Sequence, residues 1–329
     1  NVTDAIAIVG NSHAVTITNA ISAANANIIA NATSGAVTAT MTAATATAIV
    51  AGLSNVGAGD TITAEVTSTT ITDAQLATLV AKVDNLTLTN NTAAITITGT
   101  PATSDVDAIA DLTTGAVTAT LTADAAVAAT LAAITNVGAG DTITFTTNDT
   151  SADATDLVAL NAKVDTFGVD TVLTVTEAAA SIGASAVNVT DAIAIVGNSH
   201  AVTITDAISA TDANFILNQA AAGTSGVVTA TITADTAANL NSNLANATTA
   251  DALSLTVSAG NVDAADLVGL NAKTNQVIDI TALTGSHTIN GNASELVDIY
   301  STNADQYNGE GDEIVTVDDT ASAANVNTI

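Results

Sequence analysis

Along the whole chain, aliphatic residues alternate with threonine in short runs: Val37–Thr42, Ile62–Thr67, Val117–Thr122, Ile143–Thr146, Leu173–Thr176, Val228–Thr233 and Leu253–Ser258. Looser runs are Val15–Thr18, Leu86–Thr89, Ile95–Thr98, Val202–Thr205, Ile278–Thr281 and Ile314–Val317. A period of two is the mark of a half-buried β-strand, aliphatic side chains on one face and threonines on the other. Between the runs lie alanine-rich segments with polar starts and helical spacing. Asp73–Lys82 places Leu76, Leu79 and Val80 on one face, and Ser151–Lys163 does the same with Leu157, Val158 and Leu160.

The pattern repeats itself closely. Residues 1–18 return letter for letter as residues 188–205, and Asn55–Thr63 returns as Asn136–Thr144. Gly35–Thr40 returns as Gly115–Thr120, and with one conservative change as Gly226–Thr231. Successive strands begin about 22–30 residues apart, so one strand and one helix make the unit. This predicts an α/β repeat: a β/α solenoid with a parallel sheet on one side, one strand per repeat, and short Ala-rich helices on the other. Three larger modules emerge, 1–93, 94–187, and 188–329 with the start of a further repeat. The chain opens inside a repeated block and closes on Asp319–Ile329, which resembles the helix opening at Asp206–Ile216, so a longer parent chain is expected.

Ser34-Gly35, Thr114-Gly115 and Ser225-Gly226 each lead into an aliphatic/threonine strand of the Val-Thr-Ala-Thr type. This Ala/Thr/Asp-rich unit resembles the repeat regions of large bacterial surface proteins, cyanobacterial ones in particular, of the S-layer-like or adhesin-like kind. The resemblance spans most of the chain and implies an extracellular structural role.

Composition narrows the partners. The formal net charge is −29, from 32 acidic residues against three basic ones, all lysine. Phosphate contacts need Lys and Arg, so nucleic acid is excluded, and so are anionic membrane surfaces. No apolar stretch is strong enough for a transmembrane segment; the longest, 125–140, is alanine-rich and lies between Asp124 and Asp141. The chain is 48% hydrophobic, which argues against disorder, yet only 2% aromatic. A narrow core of Ala, Val, Ile and Leu follows.

Candidate chemistry is sparse. Lys82, Lys163 and Lys273 share one slot near a predicted helix C-terminus, where a cation complements the dipole and the free carbonyls. His13, His200 and His287 each follow a serine ahead of a strand and read as a repeated loop residue. Glu310, Asp312 and Glu313 crowd a glycine-bearing loop that suits a hard cation such as Ca2+. Asp60 and Asp141, each ending a Gly-Ala-Gly-Asp turn, are weaker candidates and read better as residues that cap turns or begin strands. Asn-x-Ser/Thr sequences at Asn31, Asn85, Asn148 and Asn246 arise by chance in such a composition. Thr38, Thr40, Thr63, Thr118, Thr120, Thr144, Thr229 and Thr231 are expected to form an exposed ladder.

No catalytic residues are expected. The chain reads as a non-enzymatic extracellular structural repeat protein that forms a stiff rod, filament or surface layer by self-association. The alternative is a binding module or adhesin stalk that presents the threonine ladder to ice or a polysaccharide.

Overall fold

The computed structural model describes residues 2–121, 126–170, 173–197, 199–220, 226–326 and 329. The chain forms two compact units. The first comprises Asn1–Asn148 with Ala159–Asp170, and the second Asp149–Val158 with Thr171–Ile329.

In the first unit, Val15–Thr16, Val37–Thr40, Thr61–Val66 and Asn85–Leu88 make a four-stranded sheet. A five-stranded sheet runs in the spatial order Thr166–Val169, Thr142–Thr147, Val117–Thr120, Ile95–Thr98, Thr70–Thr72. In the second unit, Ala252–Ser254, Val228–Ile232, Ala201–Ile208, Thr174–Glu177 and Ser151–Asp153 form another five-stranded sheet. Val262–Asp263, Thr288–Gly291 and Ile314–Val317 form a three-stranded sheet, and Ile278–Asp279 pairs with Tyr307–Asn308. The described pairings are parallel. Helices link the strands in most repeats, as a parallel connection requires. The fold is α/β with parallel sheets.

Alternation decides the faces. In Val37–Thr40 and again in Val117–Thr120, the aliphatic positions are buried and the threonines exposed. The expected continuation of the second run to Thr122 lies outside the described residues. Side-chain caps begin many helices: Ser22 accepts from Asn25 N–H, Thr45 from Ala48 N–H and Thr236 from Asn239 N–H. Thr72 with Gln75, and Asn292 with Glu295, form reciprocal capping boxes.

The glycine in the repeated Ser/Thr-Gly step has a steric cause. A Cβ on Gly35 would sit 2.3 Å from the carbonyl carbon of His13, and one on Gly115 2.3 Å from Ala93 O. The backbone of the preceding repeat passes too close for any side chain. Beside it, Thr33 Oγ1 donates to Asn11 O or His13 O, each 2.9 Å away, and Thr113 Oγ1 repeats the contact with Asn91 O and Ala93 O.

Three local expectations are corrected. The strands form several sheets, and some repeats supply two strands instead of one. The chain bends at Thr67–Thr69, so that Thr61–Val66 pairs with Asn85–Leu88 while Thr70–Thr72 pairs with Ile95–Thr98. The partner strands are parted by a polar turn in which Asn90 Oδ1 accepts from Thr92 N–H and Oγ1–H. Residues 151–153, expected to open a helix, form a strand against Thr174–Thr176; the helix is Ala154–Asn161. Ladder bonds outweighed local propensity there. Leu76 and Leu79 are buried as expected, but Val80 is exposed, because the buried stripe of this short helix is only one residue wide at each turn.

Candidate functional site

Threonines stand on the exposed face of the sheets, alternating with the buried aliphatic positions. Thr38, Thr40, Thr118, Thr120, Thr229 and Thr231 are exposed, and Thr63 and Thr144 are half-buried. Pairing brings them into rows: Thr16, Thr38 and Thr61; Thr40 and Thr63; Thr120, Thr144 and Thr166. The longest row among the described residues, Thr70–Thr96–Thr118–Thr142, carries four exposed threonines on neighbouring strands. Parallel strands stand about 4.8 Å apart, so the hydroxyls and methyls of a row share that spacing. In the second unit the rows include Thr176, Thr203 and Thr229, while Thr231 faces Ser254.

The acidic residues that end the glycine turns bind backbone. The N–H of Val37 donates to Asp60 Oδ1 at 2.7 Å, and that of Gly57 to Asp60 Oδ2 at 2.8 Å. Asp141 repeats this with Val117 N–H at 2.7 Å and Gly138 N–H at 2.9 Å. Asp251 repeats it again with Val228 N–H at 3.0 Å and Thr248 N–H at 2.9 Å. Each carboxylate thus closes its own turn with one oxygen and receives the first strand amide of the preceding repeat with the other. Asp84 and Asp165 hold Ile62 N–H and Ile143 N–H in the same way, and Thr274 Oγ1 takes over for Leu253 N–H. These acceptors satisfy edge amides that no ladder bond reaches.

The lysines act between repeats too. Lys82 Nζ donates to Leu53 O at 2.7 Å, Lys163 Nζ to Ile134 O at 2.7 Å and Lys273 Nζ to Leu244 O at 3.0 Å. The carbonyls lie at the end of the preceding repeat's helix, not the lysine's own, which corrects the expected capping partner. Burial lowers the Lys273 ammonium from its ordinary range. A third set completes the pattern: Asn27, Asp107 and Asn214 accept the N–H of Asn55, Asn136 and Asn246. Asp107 is buried, and its second oxygen accepts from Thr135 Oγ1–H and Asn136 Nδ2–H.

Sequence reasoning missed Asp84, Asp165, Asp251, Asp107 and Glu177 as placed acceptors. The available signal was position, since each of the first three stands just ahead of a strand. Glu177 is nearly fully buried; its Oε2 accepts Thr155 N–H and Oγ1–H, and its Oε1 accepts Ala178 N–H. Desolvation, then the neighbouring Glu177 charge, raises the Asp153 carboxyl above the usual carboxylate value.

In the loop proposed for calcium, Glu313 turns back on its own backbone. Its carboxylate accepts the N–H groups of Gly311 and Asp312 and the hydroxyl of Tyr300. Asp312 is exposed and Glu310 half-buried. Among the described residues, no three His, Cys, Asp or Glu side chains group where a metal ion could sit. The histidines do not share one environment: His200 Nδ1 lies 3.1 Å from both the N and the O of Leu173, whereas His13 is exposed and His287 half-buried. Among the described residues, no helix is long and apolar enough to cross a membrane. No family model, curated protein or solved structure matches the chain.

Proposed function

We propose that this chain is a non-enzymatic, extracellular structural repeat protein, wound as a β/α solenoid, that self-associates into a rod, filament or surface layer. The observation that carries this reading is where the polar side chains go. The aspartates and lysines that recur at fixed repeat positions bond the backbone of the preceding repeat, from Asp60 on Val37 to Lys273 on Leu244. Chemistry spent on holding neighbours together is what a load-carrying stack requires, since each unit cannot bury its apolar face alone. A dense negative charge keeps such an assembly soluble and draws counter-cations, Ca2+ among them.

Sedimentation velocity and electron microscopy of the protein test this directly. Concentration-dependent rods or sheets are expected, and lysines in place of Thr96 and Thr118 should weaken lateral contacts without unfolding the chain. A protein that stays monomeric at high concentration with calcium present rejects the reading.

The row Thr70–Thr96–Thr118–Thr142 favours a second reading, an exposed threonine array that binds ice or a polysaccharide. Inhibition of ice recrystallisation, lost on Thr96→Lys, would support it.

A further inference from the structure

Two asparagines in this chain stand directly before a glycine, Asn290 and Asn308. In such a pair the glycine amide nitrogen is tethered beside the asparagine Cγ and can attack it to close a five-membered imide. Glycine has no Cβ and hinders that approach least. The two pairs have the same local chemistry, and the fold treats them differently.

Asn290–Gly291 ends the middle strand of a three-stranded sheet. Asn290 lies opposite Asp263 on one side and Thr316 on the other, and Gly291 lies opposite Val317. Gly291 is buried, and a Cβ on it would fall 2.5 Å from that of Ala264. Both ladders must part before its nitrogen can turn on Asn290.

Asn308–Gly309 lies at an edge. The strand Tyr307–Asn308 pairs on one side only, with Ile278–Asp279, and Ile280 N–H donates to Asn308 O at 2.9 Å. Tyr307 is buried, and its hydroxyl donates to Leu267 O at 3.1 Å. Asn308 points the other way and is exposed. At Gly309 the backbone turns off with φ +105°. Among the described residues, neither the Gly309 N–H nor the Asn308 side chain has a hydrogen-bond partner. Nucleophile and electrophile are thus both unengaged, next to a ladder of two residue pairs that opens at little cost.

We propose that Asn308–Gly309 is a self-modification site with water as its only co-reactant. The Gly309 nitrogen loses its proton to solvent base and bonds to Asn308 Cγ. The Cγ–Nδ2 bond breaks, and the side-chain nitrogen takes a proton and leaves as ammonia. Water then opens the imide at either carbonyl, which gives aspartate or isoaspartate at this position. In isoaspartate the main chain runs through Cγ, and the carbonyl that received Ile280 N–H becomes a free carboxylate. The link grows by one atom where a Cβ on Gly309 would already lie 2.7 Å from Thr281 Cα, so Gly309 cannot keep its seat. The new charge also stands opposite Asp279, and like charges across a ladder repel. Conversion therefore loosens the strand that pairs with Ile278–Asp279.

Peptide mapping by mass spectrometry tests this on the full chain, held in mildly alkaline heavy-oxygen water. Incubation lasts until half of Asn290 has converted in a urea-unfolded sample. In the folded chain Asn308 should convert at least about tenfold faster than Asn290, because the two differ in the cost of local opening. Each event should release one ammonia and take up one heavy oxygen, with isoaspartate among the products. In urea the two rates should be alike. Converted chains should exchange the Ile280 amide faster than unconverted ones. Asn308→Ser, which leaves the backbone pairing in place, should keep that protection throughout the incubation. A folded chain in which Asn308 stays intact over this period overturns the proposal, and so does one in which Asn290 converts as fast as Asn308. Neither result bears on whether copies assemble, so the structural reading stands or falls separately.

Discussion

Thr130 should be replaceable by valine with a gain in stability. It lies in the helix Val127–Ala133 at 1% exposure, and its Oγ1 has no hydrogen-bond partner. The matching helix positions in sister repeats hold Ile49 and Leu240, both 0% exposed. A buried hydroxyl without a partner costs about 1–3 kcal/mol, and valine is nearly isosteric with threonine. Helix propensities of the two residues are close, so the local backbone contributes little to the difference. The expected gain for Thr130→Val is about 1–3 kcal/mol, read as a higher urea midpoint with an unchanged slope. Thr130→Ser keeps the hydroxyl and deletes the methyl, and should lose about 1 kcal/mol. Thr130→Ile should gain less than valine, because Val127 fills space that Ala46 and Ala237 leave open beside Ile49 and Leu240. Since neighbouring repeats couple only locally, slower exchange should be confined to this helix and the repeats it touches. A neutral or destabilising Thr130→Val would refute the reasoning, by showing that the hydroxyl is satisfied in solution.

Asp141→Ala leaves the N–H groups of Val117 and Gly138 without acceptors; a loss of about 2–4 kcal/mol is expected in denaturant titration, and Asp141→Asn, which keeps one acceptor oxygen, should lose less. Burial, foremost, and nearby carboxylates hold the hydroxyls of Tyr300 and Tyr307 protonated above their ordinary value of 10.0. The folded state then binds protons that the unfolded state releases, so stability is intact below about pH 10 and falls as pH rises further. Phenolate absorbance should appear only together with loss of circular dichroism; a phenolate signal that precedes unfolding would contradict this. Calcium should raise the thermal midpoint at low ionic strength by relieving charge repulsion, and an unchanged midpoint against chelator would reject a calcium requirement.

Much of this architecture is visible in the residue order, because its signals are local and repeated. Alternation of Val, Ile and Leu with threonine requires two unlike faces, and Val37, Ala39, Thr38 and Thr40 take the sides it implies. A short repeated unit of one strand and one helix implies parallel strands with helical crossovers, and the recurring Gly-Ala-Gly-Asp turns mark where strands begin. The slots of Lys82, Lys163 and Lys273 were equally plain, yet their partners were not. Lys82 reaches Leu53 O, and Asp60 reaches Val37 N–H, across separations that no local period encodes.

Only the tertiary structure decided which backbone each polar side chain would meet, where one sheet stops and the next begins, and which aliphatic residues stay exposed. Val80 and Thr130 show the limit: the first has core chemistry on the surface, the second surface chemistry in the core. Identical residues at 1–18 and 188–205 make the point most directly. Their sequence sets a helix, a turn and a strand in both places, because those conformations depend on near neighbours. Burial depends on what lies across the sheet, and the segment that covers Val202 is not encoded in the eighteen residues it covers.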